Sequence, residues 1–152
     1  MKQIRYFVAI IILFCTNLTA QPGPYLAMEG FEDEFFPPTG WEVYNSYWSQ
    51  SNYSFHSGSN SAAIFGKPYN EDWLITPEFD LIIGTNPFLT YWEYVELDQG
   101  LVGEHYVMIS TNYDGQGDPY NATWTTLRFT IGDINSWNLR EIDLNSYEGQ
   151  SV

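Results

Sequence analysis

Short runs of β-branched and aromatic residues recur about every ten residues along this chain, separated by clusters of Gly, Pro, Asn, Asp and Ser. Val, Ile, Thr, Tyr, Phe and Trp fit a pleated strand, whereas the separating residues favour turns. This alternation is typical of an antiparallel sandwich or barrel. It predicts an all-β fold with strands at residues 25–32, 41–45, 61–66, 72–79, 87–96, 104–112, 123–130 and 137–144.

Two of these segments also indicate how each strand is placed relative to the sheet and the core. Both faces of segment 87–96 are apolar, which indicates a strand in the middle of its sheet. Segment 104–111 puts Val107 and Ile109 on one face and Tyr106, Met108 and Ser110 on the other, and one of these faces must be core. The glycine-rich residues 112–118 lack the regular acid spacing of an EF-hand, and we expect them to connect two strands of a hairpin.

The first 20 residues have the features of a secretory signal peptide. Lys2 and Arg5 precede an apolar run at 6–15, and the short polar stretch that follows this run ends at Ala20. A run of about ten residues is too short to span a bilayer. We therefore expect residues 1–20 to be removed by cleavage after Ala20.

Removal of the leader would leave a mature domain at residues 21–152 without cysteine, because Cys15 is the only one in the chain. No disulfide could then stabilise the fold, so a packed core or a bound metal must do so. A lipoprotein anchor at Cys15 is an alternative, but Phe14 stands where such an anchor requires a small residue.

The mature chain is strongly acidic. Only Lys67, Arg128 and Arg140 would remain against 19 Asp and Glu, which gives 3 − 19 = −16. Such a surface repels phosphate backbones and anionic lipid headgroups, and this argues against nucleic acid and membrane surfaces as partners. It suits a cation-binding or sugar-facing exterior, although acids also serve simply to keep an extracellular protein soluble.

The run Trp-Leu-Ile at 73–75 lies between acids and a proline. It predicts a core strand that stops at Pro77, since proline cannot donate a hydrogen bond to a ladder. Asp72, at the head of this strand, has two interpretations: it caps a turn or it binds a hard cation.

Several short segments of the chain occur in an order that is typical of a known family. They are residues 31–32, 36–41, 56–59 with 61–62, 72–77, 106–111, 137, 142–144 and 147–150. In order and spacing they resemble the cleaved-adhesin, or choice-of-anchor J, family, and the resemblance covers the chain from about residue 28 to its end.

This resemblance implies a jelly-roll-like antiparallel β-sandwich. Family modules are noncatalytic parts of secreted or cell-surface bacterial proteins, are often exported by the type IX route through a separate sorting domain, and hold structural calcium. The last strands of the family are missing here, and residues 149–152 have the pattern of the entry to another strand. We therefore expect a domain truncated at its C-terminal end.

The resemblance places Glu32 as a calcium ligand, with Asp33 or Asp72 as a second carboxylate and carbonyl oxygens from the loop 57–60. Calcium binds six to eight such oxygens. The alternative is that these acids are surface or turn residues without a metal.

Six tryptophans and 12 tyrosines invite a search for a sugar-stacking surface. Tyr47, Trp48 and Tyr53 are the candidate ligand-binding residues because they lie in a polar stretch. The remaining tryptophans near family motifs are expected to be structural: Trp41, Trp73, Trp92 and Trp137.

The sequence does not favour an enzyme. His56 and His105 are not accompanied by a cysteine nucleophile, a Gly-x-Ser-x-Gly elbow or a zinc-binding helix motif. We expect a secreted or cell-surface, adhesin-like module that binds a glycan, a protein ligand or neighbouring domains, with no stable membrane insertion after cleavage. A structural accessory domain of a secreted protease or other hydrolase is the alternative, and a glycosidase-like enzyme is a third.

Overall fold

A computed structural model of the chain describes residues 4–15, 25–45, 47–66, 71–97, 104–131 and 134–152. Regular structure in these parts is β-strand, apart from two 3₁₀ turns at Pro119–Asn121 and Asn145–Tyr147. The strands are β1 Ile4–Cys15, β2 Tyr25–Glu29, β3 Glu42–Tyr44, β4 Trp48–Ser51, β5 Ser61–Gly66, β6 Trp73–Ile75, β7 Pro87–Leu97, β8 Glu104–Ile109, β9 Thr125–Ile131 and β10 Ile134–Asp143. They pair in antiparallel fashion, so the all-β prediction is confirmed.

The strands form one large sheet and two ribbons. The large sheet has the order β10-β7-β1-β5-β4, with β2 also paired to β1. The ribbons are β3–β6 and β8–β9. The β8–β9 pair is the predicted hairpin, and the glycine-rich segment connects its strands.

Most predicted strands occur where the pattern placed them. β7 lies between β1 and β10, which confirms that it is a central strand. β2 ends at Glu29 rather than at 32, because Phe31 has a positive φ of 60° that turns the chain. β4 was not predicted, since Trp48–Ser51 contains one apolar residue and three polar ones.

The predicted signal peptide contributes β1 to the large sheet. Ile4–Cys15 pairs with β7 along one edge and with β5 and β2 along the other. The structure is that of the whole chain, and the cleavage position after Ala20 lies outside the described residues. Cleavage therefore stays a prediction.

Two apolar clusters form the core. The first is centred on Phe31, Ala62, Tyr91 and Val95, each no more than 3% exposed, and Val107 packs against it. The second contains the buried side chains Leu81, Ile109 and Leu144. The face of β8 that carries Val107 and Ile109 is thus the core face, which decides between the two faces that the sequence left open.

An ion-pair group lies within this interior. Glu93 of β7 is 1% exposed, and its carboxylate accepts a hydrogen bond from Nε of Arg140 on β10. Nη2 of Arg128 on β9 lies 3.6 Å from the same carboxylate oxygen. Because Arg128 belongs to the β8–β9 ribbon, Glu93 links this ribbon to the large sheet. Two of the three Lys and Arg residues within 21–152, Arg128 and Arg140, therefore lie beside this buried carboxylate.

The chain end also pairs in extended conformation. Phe79 and Val152 exchange two backbone hydrogen bonds of 2.8 and 2.9 Å, and Leu81 donates to the carbonyl of Gln150. This is pairing of the kind predicted for residues 149–152.

Candidate functional site

The carboxylate of Glu32 reaches the loop that was predicted to share a calcium ion with it. Its Oε1 accepts hydrogen bonds from the backbone N–H groups of Ser59 and Asn60, at 2.9 and 3.0 Å. Gly58 permits this approach, because a Cβ at this position would lie 2.2 Å from Oε1. Glu32 thus accepts hydrogen bonds from two backbone N–H groups of the loop, and these bonds stabilise the loop without a metal.

Asp33 follows on the same turn, and its side chain is exposed. The turn is fixed from β4, because Nε2 of Gln50 donates to the carbonyl oxygens of Phe31 and Asp33 at 2.6 and 2.7 Å. Phe31 anchors it on the other side through an edge-on ring contact with Trp41 at 5.4 Å. The turn therefore places Glu32 at the loop while the Phe31 ring enters the core.

Asp72 has a different environment. Both of its carboxylate oxygens are buried and lack a hydrogen-bond partner among the described residues. Burial raises the pKa of this carboxyl, and the nearby backbone N–H of Tyr47 lowers it by less. A buried carboxylate without a full set of donors is costly, and a cation would offset that cost.

The three predicted calcium ligands are not gathered into one cluster. Within the described parts of the chain, no group of three or more His, Cys, Asp or Glu side chains is arranged to hold a metal ion. Asp72 fits a cation by its unsatisfied oxygens, whereas Oε1 of Glu32 is occupied by N–H donors. Calcium at either position would depend largely on carbonyl oxygens.

The predicted ligand-binding aromatics lie on and around β4. Tyr47 and Tyr53 are exposed, at 39% and 66%. Trp48 is half-buried, packs against the first core cluster, and donates from its indole N–H to the carbonyl of Asp72 at 3.3 Å. Trp48 therefore serves packing, while the two tyrosines keep their predicted exposure.

A larger aromatic surface lies where the β3–β6 ribbon meets the long β8–β9 connection. We call it the aromatic patch, and it consists of Tyr44, Trp73, Tyr113, Tyr120 and Trp124. Successive rings are in contact, with centroid distances of 6.0 Å for Tyr44–Tyr120, 5.9 Å for Trp73–Tyr120, 5.1 Å for Trp73–Trp124 and 5.4 Å for Tyr113–Trp124. Tyr120 is 52% exposed and the other four are half-buried.

Local structure holds these rings in place. Tyr44 and Trp73 are directly opposite each other in the β3–β6 ladder, which places their side chains on one face. Asp118 caps the 3₁₀ turn by accepting from the N–H of Tyr120 at 2.9 Å. The indole N–H of Trp124 donates to the carbonyl of Pro119 at 2.9 Å. The patch is therefore pre-organised by a ladder and a capped turn.

Two carboxylates border the patch. The hydroxyl of Tyr113 donates to Glu42 at 2.7 Å, and the hydroxyl of Tyr120 donates to Glu71. Burial and then the bond to Glu42 raise the pKa of Tyr113, while the bond to Glu71 is the main cause of the raised pKa of Tyr120. Both hydroxyls stay protonated, so the patch presents neutral rings beside acceptor oxygens.

Sequence reasoning missed this surface and assigned Trp73 to the core. The members come from three segments separated by up to about 80 residues, at 44, 73 and 113–124. The available signal was the density of aromatic residues in the loop 112–124, which a plain hairpin connection does not need. The prediction of a hairpin connection for that loop rested on its glycines alone.

No family profile, curated protein or solved structure is similar to this chain. The resemblance to cleaved adhesins therefore stays a prediction. In the described part of the chain, the helices are too short and too polar to cross a membrane.

Proposed function

We propose that this protein is a noncatalytic, secreted or cell-surface binding module of a larger bacterial protein, and that it binds a glycan on the aromatic patch. The observation that carries the proposal is the set of five contacting aromatic rings with carboxylates hydrogen-bonded at the border. Clustered, pre-positioned aromatic residues are characteristic of binding surfaces.

The chemistry of the patch favours a sugar. Aromatic faces are electron-rich and attract the polarised C–H groups on the apolar face of a pyranose ring. The second oxygens of Glu42 and Glu71 provide acceptors for sugar hydroxyls next to that face. Tilted and edge-on rings with acceptor oxygens at their border thus offer partners for both the C–H groups and the hydroxyls of a pyranose.

The charge of the chain narrows the class of glycan. Glu42 and Glu71 border the patch, and the mature sequence carries a net charge of −16. Sulfated, sialylated or uronic acid-rich glycans would be repelled. We therefore expect neutral or amino sugars, with a protein surface rich in Lys and Arg as the other ligand class.

Structural calcium remains part of this proposal. Asp72 supports it through its two buried, unsatisfied oxygens. The hydrogen bonds of Glu32 support a purely structural role for that residue. A bound calcium ion would stabilise the fold by mass action, and a chelator would then lower the melting temperature.

A glycan array probed with the exported protein tests the proposal. Tyr120→Ala should weaken binding about tenfold or more, as expected for an aromatic anchor. Phe35→Ala is the control, because Phe35 is an aromatic residue that is 78% exposed and does not belong to the patch.

Two results would replace the proposal by its alternatives. If the array and a panel of matrix proteins give no binding, a structural accessory role is favoured. If the protein hydrolyses chromogenic glycosides and Glu71→Gln abolishes that activity, the protein is a glycosidase-like enzyme rather than a binding module.

A further inference from the structure

β1 pairs with other strands along both of its edges, and an exported protein without its leader would lack this strand. Every residue of β7 from Pro87 to Leu97 is paired with β1, and β1 also pairs with β5 at residues 62–66 and with β2. β1 is therefore a strand in the middle of the large sheet. The same residues form the apolar run of the predicted signal peptide.

The two roles exclude each other within one molecule. If export removes residues 1–20, β7 and β5 each lose a neighbour, and β2 loses the strand with which it pairs. Side chains of these flanking strands are fully buried in the whole chain, including Ala62 and Ala63 of β5 and Val95 of β7, all at 0% exposure. A long unpaired edge beside apolar side chains readily pairs with another extended chain.

We propose that the exported chain, residues 21–152, binds an extended apolar strand of a partner polypeptide in the slot between β5 and β7. β1, which lies between β5 and β7 in the whole chain, defines the chemistry of this partner strand. It is about twelve residues long, is antiparallel to both neighbours, and carries apolar side chains with no charge in its middle. This is recognition by β-strand addition, and it is independent of the aromatic patch.

The test uses protein exported by a secreting bacterium, with its N-terminus determined by mass spectrometry. The probe is a synthetic peptide of residues 4–15 with Cys15→Ser and flanking lysines for solubility. The control peptide carries Ala9→Pro in addition, because proline at the position opposite Trp92 cannot donate to the ladder.

Hydrogen exchange reports the slot directly. The probe should slow exchange at residues 61–66 and 87–97 about tenfold or more, which corresponds to about 1.4 kcal/mol of local protection. Residues 104–109 of β8 serve as an internal reference and should change far less. The proline peptide should have no effect.

Three results would overturn the inference. The first is an exported protein that retains residues 4–15. The second is exchange at β5 and β7 that is already as slow as at β8 and does not respond to the probe. The third is an exported chain that is unfolded and stays unfolded when the probe is added, as measured by circular dichroism.

Discussion

The first core cluster and the aromatic patch are built from the same kinds of residue but differ in solvent exposure, because the patch contains one exposed ring and four half-buried ones. In the core, the rings of Phe31 and Trp41 meet edge to face, and Phe31 is 1% exposed. In the patch, Trp73 and Tyr120 meet in a similar geometry, yet Tyr120 is 52% exposed. Ring contacts therefore do not distinguish the two regions, whereas the exposure of Tyr120 and the polar neighbours of the rings do.

The polar neighbours differ in the same way. The buried carboxylate of Glu93 lies between two arginines, so its charge is compensated within the protein. The carboxylates of Glu42 and Glu71 at the patch accept only neutral tyrosine hydroxyls in the contacts described. The patch thus retains acceptor capacity for a ligand, while the core group is used for stability.

The largest effect expected from this comparison is on the core side. Phe31→Ala should lower the free energy of unfolding by about 3–5 kcal/mol, because it removes a buried ring and leaves a cavity. Tyr120→Ala should cost less than about 1 kcal/mol, since half of that side chain is already in water. Urea unfolding measures both, and equal costs would contradict the division into core and patch.

A second prediction concerns the two kinds of carboxylate. Glu93→Gln should lower the free energy of unfolding by about 3 kcal/mol, because it leaves Arg128 and Arg140 beside a neutral, buried group. Glu71→Gln is the control and should change stability little, as its carboxylate is exposed. A Glu93→Gln protein as stable as the parent would show that this ion pair does not hold the ribbon to the sheet.

A third prediction is a pH dependence that belongs to the core. Burial lowers the pKa of His105 to about 4 from its ordinary 6.5, so the native protein holds this imidazole neutral. Between these values the unfolded chain binds more protons, and stability should fall by about 2–3 kcal/mol as the pH drops from 6.5 to 4. His105→Gln should flatten this part of the pH profile, and an unchanged profile would contradict the burial argument.

The smallest expected effect is the change in the free energy of unfolding on substitution of Asp72, and its sign depends on whether a cation is bound. Without a cation, Asp72→Asn should raise the free energy of unfolding by about 1 kcal/mol, since it removes a charge whose buried oxygens lack a full set of hydrogen-bond donors. Protonation of Asp72 opposes the effect of His105, because a raised native pKa means that the native state binds this proton first; Asp72→Asn should therefore deepen the loss of stability on acidification. If calcium is bound there, Asp72→Asn should instead destabilise the protein and abolish the effect of a chelator.

The sequence pattern predicted the strands well because strand formation is local. The two apolar faces of 87–96 predicted a central strand, which the sheet order confirms, whereas the pattern along 104–111 left open which face of β8 is the core face. The pattern could not predict the patch, because Trp73 and Trp124 meet only after the β3–β6 ribbon has packed beside a loop about 50 residues later. It also could not predict that an apolar leader would fit as a strand, since an apolar run of that length suits both roles.

One measurement compares the two regions within a single sample. In a two-dimensional NMR spectrum, the indole N–H groups of the tryptophans give separate signals that can be assigned by substitution. Titration with a glycan selected from the array should shift the signals of Trp73 and Trp124, while those of Trp41 and Trp48 stay in place. Shifts confined to Trp41 and Trp48, or glycan binding with no shift at Trp73 and Trp124, would contradict the aromatic patch as the binding surface.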